Sequence, residues 1–171
     1  MSLRVPVTDK DHVQGSPDAS IELVEYGDYQ CPYCGKAYYE VKKIQEEMGG
    51  NLKFVFRNFP LISIHKHALN AAVAAEAAGD MGKYWEMHDI IFENQQALDD
   101  ADLVKYAGEI GLDEEEFKSM FSDKKYEAKI EKELEGGLRS GVNGTPSFFI
   151  NGKKYEGEYS AKVMIEHLQS L

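Results

Sequence analysis

The hydrophobic period of the chain changes several times, and each change marks an element. From Ile21 to Tyr26 it is apolar except at Glu22 and Glu25, following the turn residues Gly15, Ser16, Pro17 and Asp18. That pattern predicts a short strand. From Cys31 the period becomes helical, with Ala37, Val41, Ile44 and Met48 on one face and Gly49-Gly50 as the stop. Leu52, Phe54, Val55 and Phe56 mark a second strand within Asn51 to Phe59, closed by Pro60. A helical crossover between two such strands makes them parallel, with a right-handed connection. The first twenty residues are polar and turn-rich and predict only an extended lead-in.

A long helical block follows. His65 to Ala78 is alanine-rich, with Leu69, Ala72, Val73 and Glu76 on its packed face, and Lys83 to Gln96 carries Trp85, Ile90, Ile91 and Phe92. Asp99 and Asp100 can cap a short helix through Leu103, Val104, Ala107 and Ile110. Asp113 with Glu116 resembles a capping box ahead of Phe117, Met120 and Phe121. Tyr126, Ile130, Leu134 and Leu138 mark a further helix that Gly136-Gly137 should weaken. The stretch Gly141 to Pro146 breaks the chain completely. Ser147 to Ile150 then reads as a strand, Asn151-Gly152 as a two-residue hairpin turn, and Lys153 to Glu156 as the returning strand. Ser160 is placed to cap a last helix with Val163, Met164 and Leu168 inward.

At 171 residues and 43% hydrophobic, the chain suits one well-buried core. Its net charge is −11, and Asp99 to Glu135 holds 13 acids against 6 bases. Nucleic acid is therefore excluded as a partner, because phosphate binding needs a basic face; the acids read as solvated helix surfaces. No stretch approaches the roughly 20 apolar residues of a membrane span. Residues 1–7 lack the apolar run of a secretory leader. A native start at Met1 implies the cytoplasm, whereas a leader removed and replaced implies the periplasm or cell envelope, and the two differ in redox poise.

Cys31 and Cys34 are the only cysteines, so no structural disulfide framework exists. Two residues apart at a strand-to-helix junction, they read as a dithiol/disulfide centre or as half of a metal site. Cys31 lies where the helix begins, with Pro32 at its first position. A thiolate there faces free backbone N–H groups and the positive end of the helix dipole, which lower its pKa. Cys34, one turn in, suits the resolving role; Pro32 and Tyr33 tune the thiolate. With His65 and His67 the pair reaches the ligand count of a Cys2His2 zinc site, but a His-x-His at a helix start points to different sides. No metal is assigned. His12, His88 and His167 are scattered and mark no site. Tyr84, Trp85 and Phe92 are most simply core, or the edge of a partner groove. Glu25, six residues before Cys31, lies on a strand covered on both faces, where burial should raise its pKa.

The order β-α-β, helical block, β-β-α, with Glu25, Cys31-Pro32-Tyr33-Cys34 and Gly144-Thr145-Pro146 at these places, resembles the thioredoxin fold. With the helical insertion it is similar to the DsbA family of thiol-disulfide oxidoreductases. The resemblance implies an α/β fold with a mixed central sheet: lead-in at 1–20, halves of the domain at 21–62 and 139–171, helical insertion at 63–138. It implies a mixed disulfide at Cys31, resolution by Cys34 and proton transfer through Glu25. It further implies a cis proline at Pro146 against the cysteines, and an extended substrate lying along Thr145 beside Pro32 and Tyr33. No cofactor is required, since the dithiol carries two electrons. The partners would be proteins with cysteine thiols or disulfides and a redox partner. Tyr33, where the best-known periplasmic members have histidine, and threonine before the proline weigh against a strongly oxidising character. Two further readings stay open. The dipeptide Pro32-Tyr33 is also typical of glutaredoxins, which are linked to glutathione. The fold can also serve as a redox-inactive peptide-binding module within a larger membrane assembly.

Overall fold

A computed structural model describes every residue from Met1 to Leu171. Five strands form one sheet: β1 His12–Gly15, β2 Ile21–Gly27, β3 Leu52–Asn58, β4 Ser147–Ile150 and β5 Lys153–Tyr155. Their spatial order is β1-β3-β2-β4-β5. β2 and β3 pair in parallel across the crossover helix α1 (Pro32–Met48), and the other pairings are antiparallel. Between β3 and β4 stand α2 (Ala68–Asp80), α3 (Tyr84–Glu93), α4 (Asp100–Glu109), α5 (Glu114–Phe121) and α6 (Lys125–Arg139), and α7 (Ala161–Gln169) closes the chain beside α1. This is the mixed-sheet α/β architecture with inserted helices that the resemblance implied. None of the helices is long and apolar enough to cross a membrane.

Because β2 occupies the centre of the sheet, both of its faces are covered. Leu23 joins Phe54 and Phe56 on one face, whereas Val24 and Tyr26 join Val55 and Phe149 on the other. The strand period of two separates these sets. Glu25 falls on the first face, paired in register with Phe56 of β3 and Phe148 of β4.

Five sequence expectations change. Residues 1–20 do more than lead in: His12 to Gly15 pair with β3 as an edge strand, and Met1 to Leu3 bond to Gly152 and Lys154 along the outer edge of β5. The segment His12 to Gly15 has one strongly apolar residue and no alternation, so its order comes from its partner strand. The helix expected from His65 starts at Ala68, because Leu61 to His65 form a turn. Gly136 and Gly137 do not interrupt α6. A Cβ on Gly137 would lie 2.8 Å from the Phe59 ring and 3.0 Å from Tyr26, so glycine here lets the helix approach the sheet. Ser160 occupies the N-cap position of α7 without a side-chain cap bond; Glu40 of α1 instead accepts from Ala161 N–H at 2.6 Å. Met164 and Leu168 point inward, whereas Val163 is exposed.

Candidate active site

The loop Asp28 to Gln30 carries the chain from β2 into α1, and Cys31 is the N-cap residue with Pro32 in the first helical turn. Cys31 is 3% exposed, and its Sγ lies 3.7 Å from the carbonyl oxygen of Thr145. Its thiol is brought down to about 5. The hydrogen bond from the Cys34 thiol is the largest cause; burial opposes it, while Thr145 and the backbone N–H groups of Cys34 and Tyr33 help. Those amides are the unpaired donors of a helix start, which stabilise an anion there.

Cys34 is fully buried in the first turns of α1. Burial raises its pKa well above the thiol range; the bond it gives to Cys31 and the charges of Glu25 and Cys31 add to this. The two sulfurs are therefore inequivalent: one is poised as an anion and the other held as a thiol that donates to it.

Glu25 is 2% exposed and its Oε1 has no hydrogen-bond partner. Burial, with a further contribution from the Cys31 charge, pushes its carboxyl up to about 8. Gly27 keeps this space open, since a Cβ there would sit 2.5 Å from the Phe56 ring and 3.2 Å from Glu25 Oε1. From the other half of the fold, the loop before β4 brings Thr145 to Cys31, and the Thr145–Pro146 peptide bond is cis. Pro32 and Tyr33 are exposed beside the pair, with Tyr33 at 61%.

His65 does not approach the cysteines as a ligand. Its Nδ1–H donates to Asp28 Oδ2 at 2.8 Å. His12 and His88, unassigned from sequence, are both engaged: His12 bonds Glu76 at 2.8 Å, and His88 bonds the Tyr29 hydroxyl at 2.9 Å within an aromatic cluster of Phe56, Tyr84, Trp85 and Phe92. Tyr84 and Phe92 are accordingly core.

Two residues of the site had no assignment from sequence. Asp28 accepts from Gln30 N–H at 2.8 Å, Leu61 N–H at 2.9 Å and His65, and its own N–H donates to Cys34 Sγ at 3.4 Å. An aspartate three residues before a helix start is a recognisable turn former, and that was its one local signal. Gln95, just past α3, donates from Nε2 to the carbonyls of Tyr29 and Cys31, each at 2.9 Å. Nothing near position 95 in the sequence announces that contact.

Known proteins share this fold. The solved thioredoxin-like oxidoreductase of Silicibacter pomeroyi superposes with a TM-score of 0.84 at 27% identity, over 95% of this chain and 92% of that one. The thiol-disulfide exchange protein alpha-DsbA2 of Wolbachia pipientis gives 0.83 at 24% identity, over 94% and 86%. The Na(+)/H(+) antiporter NhaA 1 of Salinispora arenicola is 41% identical over 165 residues, which is 96% of this chain and 25% of the antiporter. The chain thus spans about a quarter of the curated relatives it matches. The family model described as thioredoxin matches residues 7–170. The chain belongs to the thioredoxin family and has the fold of its DsbA-like members.

Proposed function

We propose that this chain exchanges its Cys31–Cys34 dithiol or disulfide with protein cysteines through a mixed disulfide at Cys31. The observation that carries the reading is the inequivalence of the two sulfurs: Cys31 at the N-cap of α1, 3.7 Å from the Thr145 carbonyl oxygen, where the thiol is lowered, beside a wholly buried Cys34 whose thiol is raised. In the reducing direction the Cys31 thiolate attacks a substrate disulfide, and one substrate sulfur leaves with the bonding electron pair. Forming the mixed disulfide removes the Cys31 charge that helps keep Glu25 protonated; once Glu25 has lost that proton, Cys34 passes its own to the carboxylate and attacks Cys31 Sγ, which closes the Cys31–Cys34 disulfide and releases the second substrate thiolate. The oxidising direction is the reverse sequence. Backbone groups of Thr145 and the Pro146 loop hold an extended substrate segment, with Pro32 and Tyr33 beside it. The partners are proteins with cysteine thiols or disulfides and a second redox protein that resets the pair.

Incubating Cys34→Ser with a disulfide-bonded protein tests this: a covalent adduct through Cys31 should accumulate, absent in the Cys31→Ser, Cys34→Ser double variant. Failure to form it would overturn the reading. Parallel assays with a glutathione mixed disulfide separate protein exchange from a glutathione-linked activity. A second reading is a redox-inactive peptide-binding module in a membrane assembly; the match to a quarter of an antiporter bears only on the assembly, and the intact pair Cys31 and Cys34 speaks against redox inactivity. That reading survives only if Cys31→Ser leaves partner function unchanged.

A further inference from the structure

The exchange just proposed needs a thiolate twice, first at Cys31 and then at Cys34. The first is provided for by the helix start. The second must form at a fully buried sulfur, where desolvation opposes charge. Cys34 Sγ receives one backbone donor there, the N–H of Asp28 at 3.4 Å.

Asp28 is held in place more firmly than a loop residue needs to be. Its carboxylate is wholly buried, and it accepts from Gln30 N–H on its own loop and from Leu61 N–H and His65 Nδ1–H on the loop after β3. Its carbonyl accepts from Cys31 N–H at 3.1 Å. A second stitch runs beside it, from His67 N–H to Gln30 Oε1 at 2.7 Å. The two loops that flank the cysteines are thus tied through one side chain, and the amide of that same residue faces the resolving sulfur.

We propose that Asp28, anchored by Leu61 and His65, is a positioning residue that fixes its own backbone N–H as the donor for the Cys34 thiolate during resolution. The inference rests on the exchange reading above. The step it serves is the attack of the Cys34 thiolate on Cys31 Sγ in the mixed disulfide. The sulfur–sulfur bond to the substrate breaks, the substrate thiolate leaves with the electron pair, and the Cys31–Cys34 bond forms, so the protein is oxidised as the substrate is reduced. In the exchange reading the proton of Cys34 has by then passed to Glu25 in its ionised form. A hydrogen bond to a charged acceptor is among the stronger ones, so loosening this donor should slow resolution more than the Cys31 attack.

The aryl disulfide 5,5′-dithiobis(2-nitrobenzoate) separates the two steps. Its first coloured thiolate is released when Cys31 attacks, its second when Cys34 resolves the adduct. Asp28→Ala should slow the second release by about tenfold or more, and by several-fold more than it slows the first. Asp28→Ser, too short to reach Leu61 and His65 but able to accept from Gln30, should behave nearly as alanine does. His65→Leu removes one bond of three and should slow the second release by about two- to fivefold. It also keeps the test alive if Asp28→Ala fails to fold. An unchanged second release, or equal slowing of both, overturns the inference. No release in the wild type, or an equal release from Cys31→Ser, overturns the exchange reading instead.

Discussion

Glu25 and Glu76 are equally buried, at 2% and 3% exposure, and behave in opposite ways. Glu76, on α2, receives His12 and Lys129, each at 2.8 Å, and Asn58 Nδ2–H at 3.0 Å. Burial alone would raise its pKa, yet the His12 and Lys129 contacts outweigh this and hold it below the usual carboxylate value. Glu25 has Phe56 and Phe148 beside it in register, no cation and an unpartnered oxygen, and it rises to about 8. Burial does not distinguish a structural carboxylate from one able to move a proton; the completeness of its hydrogen bonding does. The region around Glu76 ties β1, β3, α2 and α6 together, whereas the region around Glu25 is left incomplete beside the sulfurs.

The largest effect that tests this contrast falls on the sulfur side. Cys31→Ser should reduce exchange with a disulfide substrate by at least about a thousandfold while leaving the thermal midpoint of the reduced protein within a few degrees of wild type near pH 6. Next comes Glu76→Ala, which strands Lys129 and His12 without their anion. Breaking a fully buried pair from one side costs about 3–5 kcal/mol, but the Lys129 and His12 side chains are 36% and 21% exposed and Lys129 keeps Glu133 at 3.8 Å, so denaturant unfolding should show a smaller loss of about 1–3 kcal/mol. Its exchange rate, measured well below the unfolding midpoint, should stay within about threefold. A large rate defect in Glu76→Ala with stability retained would erase the distinction between the two regions.

The difference between the two regions also explains what could be read from the sequence. β2, α1 and the cysteine pair were legible because each is local: a continuous apolar run, a 3.6 period, a spacing of two residues. Glu25 stood out because a carboxylate within such a run has nowhere solvated to go, and it is indeed buried. The Asn151-Gly152 turn was legible for the same local reason, and both residues have positive φ, 47° and 81°. Contacts between distant positions were not legible. His12 meets Glu76 across 64 positions, Gln95 meets Cys31 across 64, and Ala161 finds its cap in Glu40 across 121. Ser160, correctly placed by position, makes no cap bond, and the distant Glu40 binds the first helical N–H of α7. His88 and His12 looked like scattered histidines because their partners come from other elements. Periodicity locates faces, but it does not say which polar side chains meet once the faces are packed.

A smaller effect lies in the pH dependence of stability. In the reduced protein Glu25 keeps its proton up to about pH 8, whereas the unfolded chain loses it near the ordinary carboxylate value of 4.5. The folded state therefore binds more protons in that window, and this group makes stability fall as pH rises through it. Cys31 acts with the opposite sign. Its folded thiol ionises near 5 and its unfolded thiol near 9, so it makes stability rise over that range. Between pH 5 and 8 the two slopes, each at most about 1.4 kcal/mol per pH unit, oppose each other. Glu25→Gln should uncover the Cys31 slope, so that the reduced variant gains up to a few kcal/mol relative to wild type from pH 5 to pH 8. With the disulfide formed, Cys31 no longer titrates, and wild type should lose stability relative to Glu25→Gln over the same range. Parallel stability curves for wild type and variant would show that Glu25 ionises as an ordinary carboxylate.

The smallest effect tests how the helical insertion reaches the sulfur side at all. Gln95 bridges the Tyr29 and Cys31 carbonyls from beyond α3, and its side-chain oxygen occupies the space a Cβ on Gly35 would need. Gly35 is therefore the gap in α1 through which the insertion touches the active-site loop. Gln95→Leu removes two bonds, each worth about 0.5–1.5 kcal/mol, but Cys31 O keeps the Gly35 N–H at 3.0 Å. The expected loss is about 1–2 kcal/mol. The thiolate absorbance titration of Cys31 should move up by less than about one pH unit as the first helical turn loosens. Gly35→Ala should expel Gln95 and reproduce the same titration shift. If the two act through one contact, the double variant should be no worse than the more damaging single one, giving a coupling energy of about 1 kcal/mol. Strict additivity in stability and in the titration would mean that the insertion and the cysteine pair are held independently.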